Sequence, residues 1–176
     1  MQVVNFQMGR ILHGRFTIDL GVYVPEMVLD EHERRDGWVN EDNCQLRRRI
    51  GSLLDQPGDV WWSLDDTAEA SSAASHALEG AGLPWLDRVS SRQKILDAYE
   101  LSGTAGVGLM PRGAVQIAWL VKESDRARAE AILREYLQGA LRHPDHWEPL
   151  TGWLRAGGFE HLLDELPDGS NPGGGR

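Results

Sequence analysis

Cysteine is nearly absent: Cys44 stands alone in 176 residues, so no intramolecular disulfide can form and a reducing compartment is expected. Long apolar runs are missing too, as is a charged-then-apolar leader. The expectation is a cytoplasmic protein without membrane contact. Positive charge is in deficit, with 18 Lys plus Arg against 27 Asp plus Glu and a net of -9. Such a surface repels phosphate backbones, which argues against a nucleic-acid partner. The signatures of common catalysts are lacking as well. No Gly-x-Ser-x-Gly elbow, no His-Glu-x-x-His and no helix-borne carboxylate pair occurs. Gly103 to Gly108 is glycine-rich but has neither the lysine and hydroxyl of a phosphate loop nor a strand before it, and reads as a linker to Pro111.

What is present is alternation. Cys44, Leu46 and Ile50 fall on one side of a period-two pattern and Gln45, Arg47 and Arg49 on the other, as in a half-buried antiparallel strand. After turn chemistry at Gln56-Pro57-Gly58, Val60, Trp62 and Leu64 oppose Asp59, Trp61 and Ser63, so the two runs read as a ribbon. Upstream, Val4, Phe6 and Met8 alternate with Val3, Asn5 and Gln7. Phe16, Ile18, Leu20, Val22 and Val24 alternate with Thr17, Asp19, Gly21 and Tyr23 until Pro25. Four strands, at about 3-8, 16-24, 44-50 and 59-64, then form an antiparallel meander with an apolar face for helices to cover. The charged connection from Glu26 to Asn43 holds Trp38, expected to anchor it to the body.

Helical spacing takes over after Asp66, which caps a helix of Ala70, Ala73, Ala74, Ala77, Leu78 and Ala81 that Gly80 and Gly82 are expected to end. Ser91 caps a second helix with Ile95, Leu96 and Tyr99. Ala114 to Val121 reads as a short buried helix, paired with an amphipathic one carrying Ala129, Ile132, Leu133, Tyr136, Leu137 and Ala140. A helix from about Asp145 holds Trp147, Leu150, Trp153 and Leu154, and a short one Leu162, Leu163 and Leu166. The fold class is therefore α+β: a four-stranded antiparallel sheet with helices on one face and a C-terminal helical extension. A single domain is expected over 1-166 (sheet and first helix to 90, helical part 91-166), with a disordered tail at 167-176.

The strings Val4-Asn5-Phe6-Gln7, Phe16 to Val22, Arg49-Ile50-Gly51, Trp61-Trp62 and Gly82-Leu83-Pro84-Trp85-Leu86 together resemble the bacterial family called domain of unknown function 4304, over about residues 3-90. The resemblance implies a small cytoplasmic α+β protein and supplies no activity, cofactor or catalytic residue. It also implies a helix and a further strand upstream of Met1. On that expectation the chain is truncated or its start misassigned, and if truncated, strand 3-8 is an unprotected edge prone to pairing.

Candidate chemistry gathers on the polar face, where Asn5, Gln7, Asp19, Arg47, Arg49 and Trp61 are the expected binding residues. Guanidinium forks match carboxylate or phosphate, and an indole stacks on planar groups. The plainer reading of the same residues is a solvated sheet face with cross-strand Asp–Arg pairs, or a face covered by an upstream helix, since exposed sheet faces are ordinarily polar. Cys44 is expected as a buried structural thiol, and His143-Pro144-Asp145-His146 as a helix corner, so no metal, cofactor or catalytic residue is assigned. The expected function is a non-catalytic protein-interaction module presenting the polar face to a protein partner. The alternative is an enzyme or small oxyanion binder using Asp19, Arg47 and Arg49. Alternation does not specify an oligomeric state.

Overall fold

The computed structural model describes residues 1-10, 13-54, 59-109, 113-140 and 147-166. The Gln56-Pro57-Gly58 turn, the His143 to His146 corner and the tail from 167 lie outside the described residues. Contacts group the chain into two compact units, Met1–Pro25 with Arg35–Pro111, and Glu26–Arg34 with Arg112–Arg176.

The first unit carries the sheet. Strand β1 (Gln2–Met8) pairs antiparallel with β2 (Arg15–Val22) from Gln2 opposite Val22 to Met8 opposite Phe16. The other edge of β2 is shared. Strand β3 (Leu46–Arg49) takes its upper half, with Asp19 opposite Arg49 and Gly21 opposite Arg47. Strand β4 (Trp62–Ser63) takes its lower end, with Phe16 opposite Trp62. The antiparallel four-stranded sheet of the sequence reading is present, but the third and fourth strands do not form a ribbon together. The chain leaves β3 in a 3₁₀ turn, Ile50–Leu53, that buries Ile50, and this ends the alternation four residues in.

Helices cover one face, as expected. Helix α1 (Thr67–Ala77) is capped by Asp66, whose Oδ1 accepts the Glu69 N–H at 3.0 Å, and it buries Ala70, Ala74 and Ala77. A wide helical turn at Leu78–Gly82 leads straight into α2 (Leu83–Arg88). Gly80 and Gly82 therefore do not stop the helix. A Cβ on Gly82 would come within 2.8 Å of Leu78 and 3.3 Å of Leu20, so this glycine lets the helix press on the sheet. Pro84 lies in the first turn of α2, where its missing N–H costs nothing.

Helix α3 (Arg92–Val107) starts at Ser91, whose hydroxyl accepts the Lys94 N–H. It breaks at Gly103, where φ is +64°, resumes, and ends at Gly108, where φ is +79°. The stretch read as a linker is thus mostly helix. The Gly108 carbonyl accepts the Arg47 N–H at 2.9 Å, tying the helix end to β3.

In the second unit α4 (Gly113–Val121), buried almost throughout, packs against α5 (Arg126–Ala140) through Ala129, Leu133 and Leu137. Asp125 caps α5 by accepting the Arg128 N–H at 2.9 Å. Helices α6 (Trp147–Ala156) and α7 (His161–Asp164) hold the buried Leu150, Leu154 and Leu162, and the turn between them holds the buried Phe159. The helical hairpin matches its periodicity, with Ala129, Leu133 and Leu137 of the expected stripe buried. Among the described residues, no helix is long and apolar enough to cross a membrane and no cluster of metal-ligating side chains occurs.

Candidate functional site

Because β1, β2 and β3 are in register, Asn5, Asp19 and Arg49 lie side by side on one face with Gln7 and Arg47 at the next positions. The face is concave: a cleft of about 700 Å³ is lined by Asn5, Gln7, Asp19, Arg47, Arg49 and the unforeseen Asp59, Arg10 and Asp42. Arg49 is its centre. Its Nε donates to Asp19 at 3.0 Å, its Nη1 to Asp59 at 2.5 Å and its Nη2 to Gln7 Oε1 at 2.8 Å. Its guanidinium carbon also lies 5.7 Å from the centre of the Trp61 ring, within reach of a cation–π contact. Burial works against the charge of Arg49, but hydrogen bonds and attraction from Asp19 and Asp59 outweigh it and raise the pKa. Arg47 turns instead to Asp42 at 3.2 Å, a pair exposed enough to be worth little.

All six sequence candidates are therefore near one another, five in the cleft wall and Trp61 against Arg49. Asp59 was legible, since it alternates with Trp61 and Ser63, but a residue so close to a turn carries little strand signal. The arrangement is a matched set of charges and not a free cationic fork: each of the three guanidinium nitrogens of Arg49 already donates to an acceptor. An oxyanion approaching it meets the Asp19 and Asp59 carboxylates that already face the guanidinium.

Two local readings are corrected. Cys44 is buried, as expected, but on the opposite side of the sheet from Leu46. It precedes β3, and its Sγ lies where a Cβ on Gly21 would come within 2.6 Å. Here the 3₁₀ turn Glu41–Asn43, closed by a reciprocal Asn40–Asn43 cap, brings Cys44 over Gly21. Burial pushes the thiol pKa up to about 11, the opposite of what a nucleophile needs. Trp38 is no anchor: it is 83% exposed. Its segment is held instead by Tyr23, whose hydroxyl accepts the Arg35 N–H at 2.8 Å, and by buried Val39.

The apolar face departs from expectation in one respect. Helices α1 and α2 cover Phe16, Ile18 and Leu20, yet Val4, Phe6 and Met8 of β1 remain 39%, 56% and 53% exposed. Phe6 and Met8 border a groove of about 390 Å³ whose far wall is Ala70, Ala74 and Leu78. The period-two pattern identifies this row as apolar, but pattern cannot say how far a helix reaches across a sheet.

The pairing also decides where the backbone of β1 points. Met1 and Tyr23 exchange both backbone bonds at 2.8 Å, and Gly9 donates to Arg15 at 2.9 Å. In an antiparallel ladder such hydrogen-bonded pairs alternate with unbonded ones. Val3, Asn5 and Gln7 therefore bond inward to β2, while the N–H and C=O of Gln2, Val4, Phe6 and Met8 point to the open edge.

A family model described as domain of unknown function (DUF4304) matches residues 1-88, half of the chain. The chain belongs to the DUF4304 family. The match ends where α2 ends, so the DUF4304 region comprises the sheet and the two helices on it, together with the cleft and β1. No curated protein and no solved structure matches the chain.

Proposed function

We propose that this chain is a non-catalytic, cytoplasmic protein-interaction module that takes an extended segment of a partner along β1. The observation that carries the reading is the open edge of β1 with its exposed apolar row. Strands at sheet edges normally carry charge, proline or bulges that block pairing. Gln2 to Met8 has no charged residue and no proline. A strand added there gains main-chain hydrogen bonds and can send alternate side chains into the groove beside Phe6 and Met8. The polar face favours this edge over itself as the docking surface, because its central cation is matched from within. The lone buried thiol is what supports the compartment.

A second reading, a small-ligand binder, draws support from the cleft in which Asp19, Arg47 and Arg49 converge. Capture of binding partners with wild type, Val4→Pro and Arg47→Glu/Arg49→Glu proteins tests the two surfaces against each other. A partner lost with Val4→Pro and kept with the arginine variant supports docking at β1. The reverse pattern overturns it in favour of the cleft.

A further inference from the structure

The strand β1 is complementary to itself. Its outward backbone groups belong to Gln2, Val4, Phe6 and Met8, as the inward bonds at Met1 and Gly9 require. An antiparallel partner must therefore present its own even-numbered residues to these. For a second copy related by a two-fold axis, the register centred on Asn5 does so along the whole strand. It sets Val4 opposite the partner's Phe6, Gln2 opposite the partner's Met8, and Val3 opposite the partner's Gln7. Registers centred on Val4 or Phe6 also satisfy the backbone but leave strand ends unpaired. In the Asn5 register Val4, Phe6 and Met8 of both copies stay on the helix-covered face, each Val4 meets an aromatic ring across the strands, and no charge meets a charge.

The geometry above the sheet admits this pairing. Helix α1 packs on β4 and faces Phe16 and Ile18 of β2 across the groove, and Gln2 donates its side-chain N–H to the Leu86 carbonyl of α2 at 2.7 Å. Strands lie about 4.8 Å apart, so the two copies of β2 would be about 14 Å apart. Packed helices need only about 8–10 Å between axes. The gap is therefore wide enough for both copies of α1, and the exposed Val4, Phe6 and Met8 of both copies lie beneath it. We infer that the partner at β1 is a second copy of this chain, joined through an isologous β1–β1 pair into one continuous sheet. The inference rests on β1 being the docking edge proposed above and adds the identity of its occupant.

Sedimentation velocity on the full chain, with wild type, Val4→Pro and Phe6→Asp, tests it. The Val4 N–H points to the open edge, so proline there removes a bond between copies and spares the bonds to β2. Wild type is expected to sediment as a dimer, more completely as salt screens the -9 charge of each copy. Both variants are expected as folded monomers by circular dichroism. Asn5→Cys supplies a test that destabilises nothing between copies. Residues opposite in an unbonded antiparallel pair are close enough for a disulfide, so mild oxidation should give a covalent dimer, and buried Cys44 does not compete. A monomeric wild type with no Asn5→Cys cross-link overturns the inference. If capture of another protein is nonetheless lost with Val4→Pro, the docking edge survives and only the second copy is wrong. If Val4→Pro changes neither assembly nor capture, the edge fails as well.

Discussion

Replacing Arg49 by methionine separates a structural ion network from a functional one. Methionine keeps much of the aliphatic stem and removes three donors. The bond to Asp59 is worth least, since that carboxylate is half exposed at 50% and exposed pairs contribute about 0.5 kcal/mol. Asp19 is different, being only 16% exposed. A mostly buried acceptor left without its charged partner costs about 1–3 kcal/mol, and the neutral Gln7 amide about 0.5–1. Because the bonds share one guanidinium they are not additive, and about 2 kcal/mol is the expected loss. With a urea slope of about 2 kcal/mol/M, the unfolding midpoint of Arg49→Met should fall by about 1 M. Asp19→Asn keeps one acceptor and should cost about 1 kcal/mol, and the double variant should show coupling of about 1 kcal/mol. A loss below about 0.5 kcal/mol with no coupling refutes the structural account. A gain in stability would mean that the network is retained at a cost to the fold, the mark of residues kept for a ligand.

Gly21→Ala should lose about 1–3 kcal/mol by overpacking against Cys44, since the new Cβ would come within 2.6 Å of its Sγ. Because the Cys44 Cβ would lie only 2.8 Å away as well, the loss should shrink in a Cys44→Gly background, and an undiminished loss there would refute the contact. Gly108→Ala combines positive φ with a Cβ 2.6 Å from the Arg47 carbonyl oxygen, and about 2–3 kcal/mol should be lost in thermal melts. Gly139→Ala in α5 meets nothing within 4 Å and should instead gain about 0.5–1 kcal/mol. The Cys44 thiol should react with a disulfide reagent at pH 8 only as fast as the fold opens. Its pKa is raised by burial from 9.0 to about 11, so the unfolded thiol ionises first. Stability should hold below pH 9 and fall between about 9 and 11, and the part due to this thiol should vanish in Cys44→Ala.

Much of this architecture was legible. Alternation identified the faces of β1 and β2 and placed Asn5, Asp19 and Arg49 together, because a period of two admits one partition of side chains once a strand is assumed. Asp66 and Ser91 were readable as caps because their side chains satisfy backbone donors locally. What failed was long-range. Gly80 and Gly82 look like stops from composition, yet contact of Gly82 with Leu20 recruits glycine for closeness. Cys44 continued the alternation by coincidence, two residues ahead of the strand, while the Asn40–Asn43 cap turned it over Gly21. The internal matching of Arg49 required Asp59, whose position depends on how β4 docks on β2. Exposure of Phe6 and Met8 depended on the width of one helix relative to the sheet, which no local pattern records.

The closure of β3 by the end of α3 bears on how far any assembly could extend. The Arg47 N–H on the outer side of β3 is taken by the Gly108 carbonyl, and the Arg48 guanidinium reaches the Ala105 carbonyl of the same helix. Beside it β4 is only two residues long. Among the described residues one flank of the sheet is thus closed by α3 and the other, β1, has no strand beside it. A molecule with two open flanks polymerises, and one with a single open flank stops at a pair. Gly108 is in this sense a chain terminator, and loosening it would give the sheet a second growing end and with it a route to fibres.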